Sequence, residues 1–321
     1  MNLISRIKNQ YQVWAKPVFK VLVLLLSTTS GKNRKIQTSL LSIIVSTILI
    51  IIKLLFGYLT NSVSIFASAV DSLLDLSASS VNYFSIRKAE KPADKEHRFG
   101  HGKAEGLASL FQSSVIGASS IYLIYVSVKR LITGSSIESL NYGIIIMVFS
   151  ALVSFFLARH LKRVAEETDS IVLSADSLHY RSDVYTSASV IVGLVAIRVT
   201  NLVFIDSLVS ISIALYIIWS SMAVFREAVD ILMDKELPGE MVEEVKEIIM
   251  SHRPMVKSFH KMRTRRSGSK RFIEFHLVID HTLSFVDSHN LAEDIIKDIE
   301  NKVPNADVTV HVDPHAYPDH S

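Results

Sequence analysis

Apolar residues are unevenly distributed along this chain. Long hydrophobic runs fill the part before about residue 230, and the remainder alternates like a soluble domain. Six stretches, near 38–60, 62–87, 105–131, 142–162, 171–198 and 204–228, reach the length of about 20 residues that a helix needs to cross a bilayer. The first, SLLSIIVSTILIIIKLLFGYL, is plainly apolar. The second and fifth are not: AVDSLLDLSASS and SADSLHYRSDVYTSAS carry charges among many small residues. They are still read as spans, because small residues let helices pack closely and inward-facing polar groups mark a pathway. Ahead of them, residues 1–37 form a basic extension. Its apolar run, Val18 to Leu26, is too short to span and is followed by no A-x-A-like cleavage site, so an uncleaved interfacial lead-in is expected.

From Asp234 the pattern changes. Leu237-Pro238-Gly239 punctuates a boundary, and Glu240–Ser251 has helical periodicity. Arg271–Asp280 alternates as a strand, with Ile273, Phe275, Leu277 and Ile279 on one face and Glu274 and His276 on the other. Asp287–Lys302 reads as a second helix. Asp307–Asp313 reads as a strand with Val308, Val310 and Val312 opposite Thr309, His311 and Asp313. Lys261–Lys270, turning at Ser267-Gly268, supplies a further strand and a hairpin. The order α-β-β-α-β predicts a small ferredoxin-like or metallochaperone-like α+β sandwich. The chain therefore divides into a basic extension (1–37), a membrane domain of six transmembrane helices (38–233) and a C-terminal cytoplasmic domain (234–321).

Composition narrows this picture. With 49% apolar residues and a mean hydropathy of +0.33, the chain is too hydrophobic for an ordinary soluble domain. It has no cysteine, which removes disulfides and thiolate metal sites. Metal ligation must come from His, Asp or Glu, a donor set that favours zinc, manganese, iron(II) or cobalt over copper(I). The net charge of +3 does not point to nucleic acid, because the cations gather in loops between apolar runs. Arg6, Lys8, Lys16, Lys20, Lys32, Arg34 and Lys35 precede the first span, and Lys88, Lys91, Lys95, Arg98 and Lys103 follow the second. The opposite side has little beyond Lys129, Arg130 and Arg198. That asymmetry predicts six spans with both termini cytoplasmic.

Asp71 and Asp75 are spaced i, i+4 well inside the second span, and His179 and Asp183 repeat the spacing in the fifth. Each pair shares one helix face. Carboxylates at that depth are expensive, and Arg181 is the one cation in the interior of those two spans. If the two pairs face each other, three carboxylates and one imidazole give a tetrahedral shell suited to Zn²⁺. Asp176, three residues before His179, reads as a polar edge of the pathway rather than a ligand. Carboxylates and imidazole bind metal only when deprotonated, so protons compete with the ion at either face.

The quartet, the six spans and the tail domain together resemble the cation diffusion facilitator family, in its bacterial zinc/iron-efflux branch, from about residue 38 to 314. The most specific pieces are SVSIFASAVDSLLDLSAS, PADKEHRFGHGKAEGLASL, ADSLHYRSDV, RTRRSGSKRFIEFHL and VTVHVDP. The resemblance implies a secondary transporter in the inner (plasma) membrane, working as a homodimer. It implies divalent-metal efflux by proton antiport with alternating access, through Asp71, Asp75, His179 and Asp183. It also implies a second metal at Asp94, His97 and His101, whose spacing alone is compatible with ligation, and an interlocking salt bridge between Lys103 and Asp234 near the dimer seam. In the tail it implies a zinc site from His260, His276, His289, His311 and Asp313, so that Zn²⁺ is both transported and structural. His315 and His320 lie past the matched region. The resemblance says nothing about residues 1–37.

Two other classes fit less well. A membrane metallohydrolase would use the same donors to activate water, but the chain has no separate nucleophile, no H-E-x-x-H and no Gly-rich phosphate loop. The missing Walker motif excludes a nucleotide-driven pump of that type. A membrane-anchored metal sensor leaves the mid-membrane charges unexplained.

Overall fold

The computed structural model describes residues 31–60, 63–133, 141–200 and 204–314. The apolar run Val18–Leu26 and His315 and His320 lie outside them. The chain divides into two compact units: the first takes residues 1–90 and 108–225, and the second takes 91–107 and 226–321. The segment joining the second and third helices thus groups with the tail.

Six long helices build the first unit: α1 (Gly31–Thr60), α2 (Val63–Ala89), α3 (Lys103–Thr133), α4 (Asn141–Thr168), α5 (Ile171–Thr200) and α6 (Phe204–Leu232), the last turns of α6 and the first of α3 belonging to the second unit. Among the described residues, three helices are long and apolar enough to cross a membrane: Asn33–Leu59, Lys103–Thr133 and Phe204–Leu232. Of the other three, α2 and α5 carry the charges noted above, and α4 carries Arg159, Lys162 and Arg163 in its second half. Leu41, Val45 and Leu49 of α1, Ile86 of α2, Leu157, Leu161 and Val164 of α4, and Val172, Leu173 and Tyr180 of α5 form one buried cluster. Large apolar side chains on α3 and α6, such as Ile121, Tyr122, Tyr125, Leu215 and Trp219, stand exposed. So much apolar surface is foreign to a soluble protein and suits hydrocarbon.

One boundary differs from expectation. Residues 163–170 read as a loop, yet α4 continues to Thr168. Its last turns are amphipathic: Val164 and Ala165 join the buried cluster, while Lys162 pairs with Glu166 and Arg34 with Glu167 on the outer side. The charges that ended the hydropathy run belong to a helix emerging into a polar environment. Asp169, at φ 51°, ends it in the left-handed region.

In the second unit, α7 (Gly239–Ser251), β1 (Val256–Ser267), β2 (Lys270–Ile279), α8 (Phe285–Lys302) and β3 (Ala306–Pro314) follow the predicted order. The sheet runs β1-β2-β3, antiparallel between β1 and β2 and parallel between β2 and β3. Ile273, Phe275, Leu277 and Ile279 are buried against Val242, Val245, Ile248 and Ile249 of α7 and Leu291, Ile295 and Ile299 of α8. Each such side chain contributes about 1.5–3 kcal/mol by leaving water. Ser284 caps α8 by accepting from the Asp287 N–H at 3.1 Å, so the helix starts at Phe285, ahead of the predicted Asp287.

Strand β1 begins earlier than predicted, at Val256, and carries a register shift between His260 and Arg263. Lys261 there adopts φ 51°. The extra residue breaks strict alternation, so Phe259 and Met262 both pack on the core although three positions apart. The bulge sits immediately beside His260.

Candidate metal centres

Packing of α2 against α5 brings one face of each helix together. His179 Nε2 lies 3.0 Å from Asp75 Oδ1, and Asp183 stands one turn further along α5. One ligand atom from each of Asp75, His179 and Asp183 falls within 4.8 Å of the others. All three side chains are partly buried. Asp71 is one turn before Asp75 on α2; its side chain lies outside the described ones.

Beside this cluster is a polar hub whose function the sequence did not reveal. Asp176 is fully buried, at 0% exposure. Its carboxyl accepts from Ser42 Oγ of α1 (2.8 Å), Asn82 Nδ2 of α2 (3.1 Å) and Gln112 Nε2 of α3 (3.2 Å). The neighbouring Tyr180 hydroxyl bonds Ser46 at 2.7 Å and Ser79 at 3.1 Å. Asp176 is therefore a tie between four helices more than a pathway edge. The hint in the sequence was the polar stripe Ser39, Ser42 and Ser46, on one face of α1 and buried throughout. Lys53 of α1 was also overlooked as an intramembrane cation: its buried ammonium donates to Ser72 Oγ at 2.6 Å and to the Ser68 carbonyl. Arg181 donates to Tyr185 at 2.9 Å on its own helix.

Asp94, His97 and His101 form a second cluster in the loop before α3. Asp94 Oδ1 accepts from the backbone N–H groups of His97 (2.7 Å) and Glu96 (3.0 Å), folding the loop back on itself. The His97 N–H bond, with help from Glu96 and the two histidines, holds the Asp94 carboxyl below its ordinary range, against the opposing effect of desolvation, which is second in size to that bond. Gly100, at φ +81°, lets the chain return, and the His97 and His101 rings come within 4.6 Å. Both His101 nitrogens are buried without a hydrogen-bond partner, although Asp94 Oδ2 is 3.1 Å from Nε2. A buried imidazole with no bonded partner is costly, and a divalent ion between these groups would satisfy it. Nearby, Lys103 Nζ reaches Asp234 Oδ2 at 2.9 Å. Burial raises the Asp234 pKa, but Lys103 and Arg265 outweigh it and hold the carboxyl low.

The third cluster spans the sheet. His260, His276 and His311 are direct register partners across β1, β2 and β3. Their rings lie tilted against one another, with centroids 5.1 and 4.5 Å apart. Asp313, two residues past His311 on the same face, lies 3.0 Å from His276, 3.5 Å from His260 and, through Oδ1, 3.0 Å from His311. Burial pushes the Asp313 carboxyl up, but the hydrogen bond to His276 and the three imidazoles hold it below its usual value. The group that converges is His260, His276 and Asp313; His311, exposed at its edge, and His289, exposed on α8, are not in it. All three clusters offer nitrogen and carboxylate oxygen donors, the set zinc accepts.

Residues 39–233 match the family described as the cation efflux transmembrane domain, and 237–315 match the cation efflux protein cytoplasmic domain. The cation-efflux pump FieF of Cronobacter sakazakii is 36% identical over 278 residues, covering 87% of this chain and 92% of that one. FieF of Serratia proteamaculans is 37% identical over 269 residues, covering 84% and 89%. A solved metal-bound C-terminal domain of the CzcD transporter from Thermotoga maritima is 31% identical and covers 25% of this chain and 93% of its own, with a TM-score of 0.24.

Proposed function

Because this chain belongs to the cation efflux family, the cation diffusion facilitators, we propose that it exports divalent transition-metal ions, zinc foremost, from the cytoplasm in exchange for protons. It is a membrane-embedded cation-efflux transporter, not an enzyme. The observation that carries the finer reading is the convergence of Asp75, His179 and Asp183 on facing helices. Asp71 completes the shell from the adjacent turn of α2. The six helices all span the inner membrane, with both termini cytoplasmic and two copies forming the working unit. The site opens alternately to each side, and protons arriving from the outer side neutralise the carboxylates and imidazole and release the ion. Cd²⁺, Fe²⁺, Mn²⁺ and Co²⁺ share the donor chemistry. Proteoliposomes carrying the purified protein are expected to accumulate Zn²⁺ when a pH gradient is imposed, and to stop when a protonophore collapses it. Accumulation indifferent to the gradient would rule out proton antiport.

In the same reading the tail cluster holds zinc structurally. His276→Ala is expected to remove tail-bound Zn²⁺ in a binding titration while the transport site still binds. Unchanged stoichiometry would reject the tail site. Asp94, His97 and His101 form a separate loop site for the same class of ion.

A further inference from the structure

Phe99 lies between His97 and His101; the residue is exposed, but its ring has two neighbours on the tail hairpin. The Arg265 guanidinium of β1 stands 4.6 Å from the Phe99 ring centroid and 4.5 Å from that of Phe272 on β2. Phe99 and Phe272 also meet edge-on at 5.6 Å. Arg265 and Phe272 are direct register partners, so one rung of the hairpin grips the loop. Arg265 reaches Asp234 Oδ1 at 3.4 Å, and Lys103 holds the other oxygen of that carboxylate. The loop also touches the hairpin turn through backbone. A Cβ on Gly102 would sit 2.2 Å from the Ser267 carbonyl oxygen, and one on Gly268 would sit 3.1 Å from Gly102 Cα. Two independent contacts, a cation between rings and a glycine-to-turn approach, therefore seat the segment that carries the three loop donors.

We propose that Arg265, with Phe99 and Phe272, is a positioning device for the Asp94–His97–His101 cluster, so that the tail sheet sets the affinity of the loop for a divalent ion. This rests on the reading of that cluster as a metal site. The physical reason is preorganisation. A loop already held in its binding shape pays less ordering entropy when the ion arrives. Arginine suits the role better than lysine, because its flat, always charged guanidinium lies close to both rings while one of its nitrogens reaches a carboxylate. The same ladder carries the His260–His276 pair further along, so the loop and tail clusters share one rigid support.

The test uses full-length protein in detergent, with the transport site silenced by Asp183→Ala and Zn²⁺ alone as probe. Two classes of site should remain, one removed by His97→Ala and the other by His276→Ala. Arg265→Ala is expected to weaken the His97-dependent class about tenfold, the size two ring contacts to one cation give. The His276-dependent class should be unmoved, which also shows that the tail remains folded. Arg265→Lys should keep the ion pair to Asp234 without restoring affinity. Gly102→Ala, which displaces the loop by overlap, should weaken the same class. A His97-dependent site of unchanged affinity in Arg265→Ala and Gly102→Ala would overturn this inference alone. Absence of any His97-dependent site in the parent would overturn the loop-site reading and the inference with it.

Discussion

Asp176→Ala is expected to cost the folded membrane unit about 3–5 kcal/mol, from three buried donors that each lose an acceptor. The carboxyl is wholly buried and takes hydrogen bonds from three helices at once. Without it, Ser42 loses its acceptor, and Asn82 and Gln112 lose theirs for one N–H each. Water cannot reach any of them, so every stranded donor carries about 1–3 kcal/mol. A cavity forms at the same point. Thermal unfolding in detergent should show a fall in midpoint on the order of 10 °C. Asp176→Asn should fall between, since it keeps the volume but turns a hydrogen-bond donor toward donors. A midpoint within a degree or so of wild type for the alanine variant would show that the four helices are held by other means.

The largest effect on activity is expected at the transport cluster. Asp75→Ala removes a carboxylate oxygen 3.0 Å from His179 Nε2. That takes away a ligand. Loss of a mere outer-shell partner typically lowers metal affinity 10–100-fold, so loss of a ligand should lower Zn²⁺ affinity at this site by on the order of a hundredfold or more. Transport should fall in step. Tail and loop binding should be untouched, which separates a local loss from misfolding. An Asp75→Ala protein that binds Zn²⁺ at this site as tightly as wild type would remove Asp75 from the shell.

The pattern of the chain disclosed some of this and concealed the rest for identifiable reasons. The apolar runs of α1, α3 and α6 identify themselves by hydropathy. Helix α5 does not, because Asp176, His179, Arg181 and Asp183 dilute its apolar content. It was legible only through small residues and the repeated i, i+4 spacing. The paired spacing also suggested the meeting of Asp75 with His179 and Asp183, which helix geometry makes a local matter. The roles of Asp176 and Lys53 were hidden because their partners are distant in sequence: Ser42 stands 134 residues before Asp176. Strand β1 was partly hidden because the bulge after His260 breaks period-two alternation and four of its residues between 261 and 266 are Lys or Arg. Strands β2 and β3 alternate cleanly, so the inward and outward sides of His276, His311 and Asp313 could be read directly. Arg265 looked like one cation in a basic run. Only the fold places it between two rings.

The central claim is that Asp75, His179 and Asp183, with Asp71, are the passage for the metal. It is tested most directly by Zn²⁺ flux into proteoliposomes under an imposed pH gradient, comparing wild type with Asp183→Ala at equal protein density. The account predicts that the variant's flux falls to the level of protein-free vesicles while its tail-bound zinc is retained. An Asp183→Ala protein that transports at the wild-type rate would contradict it.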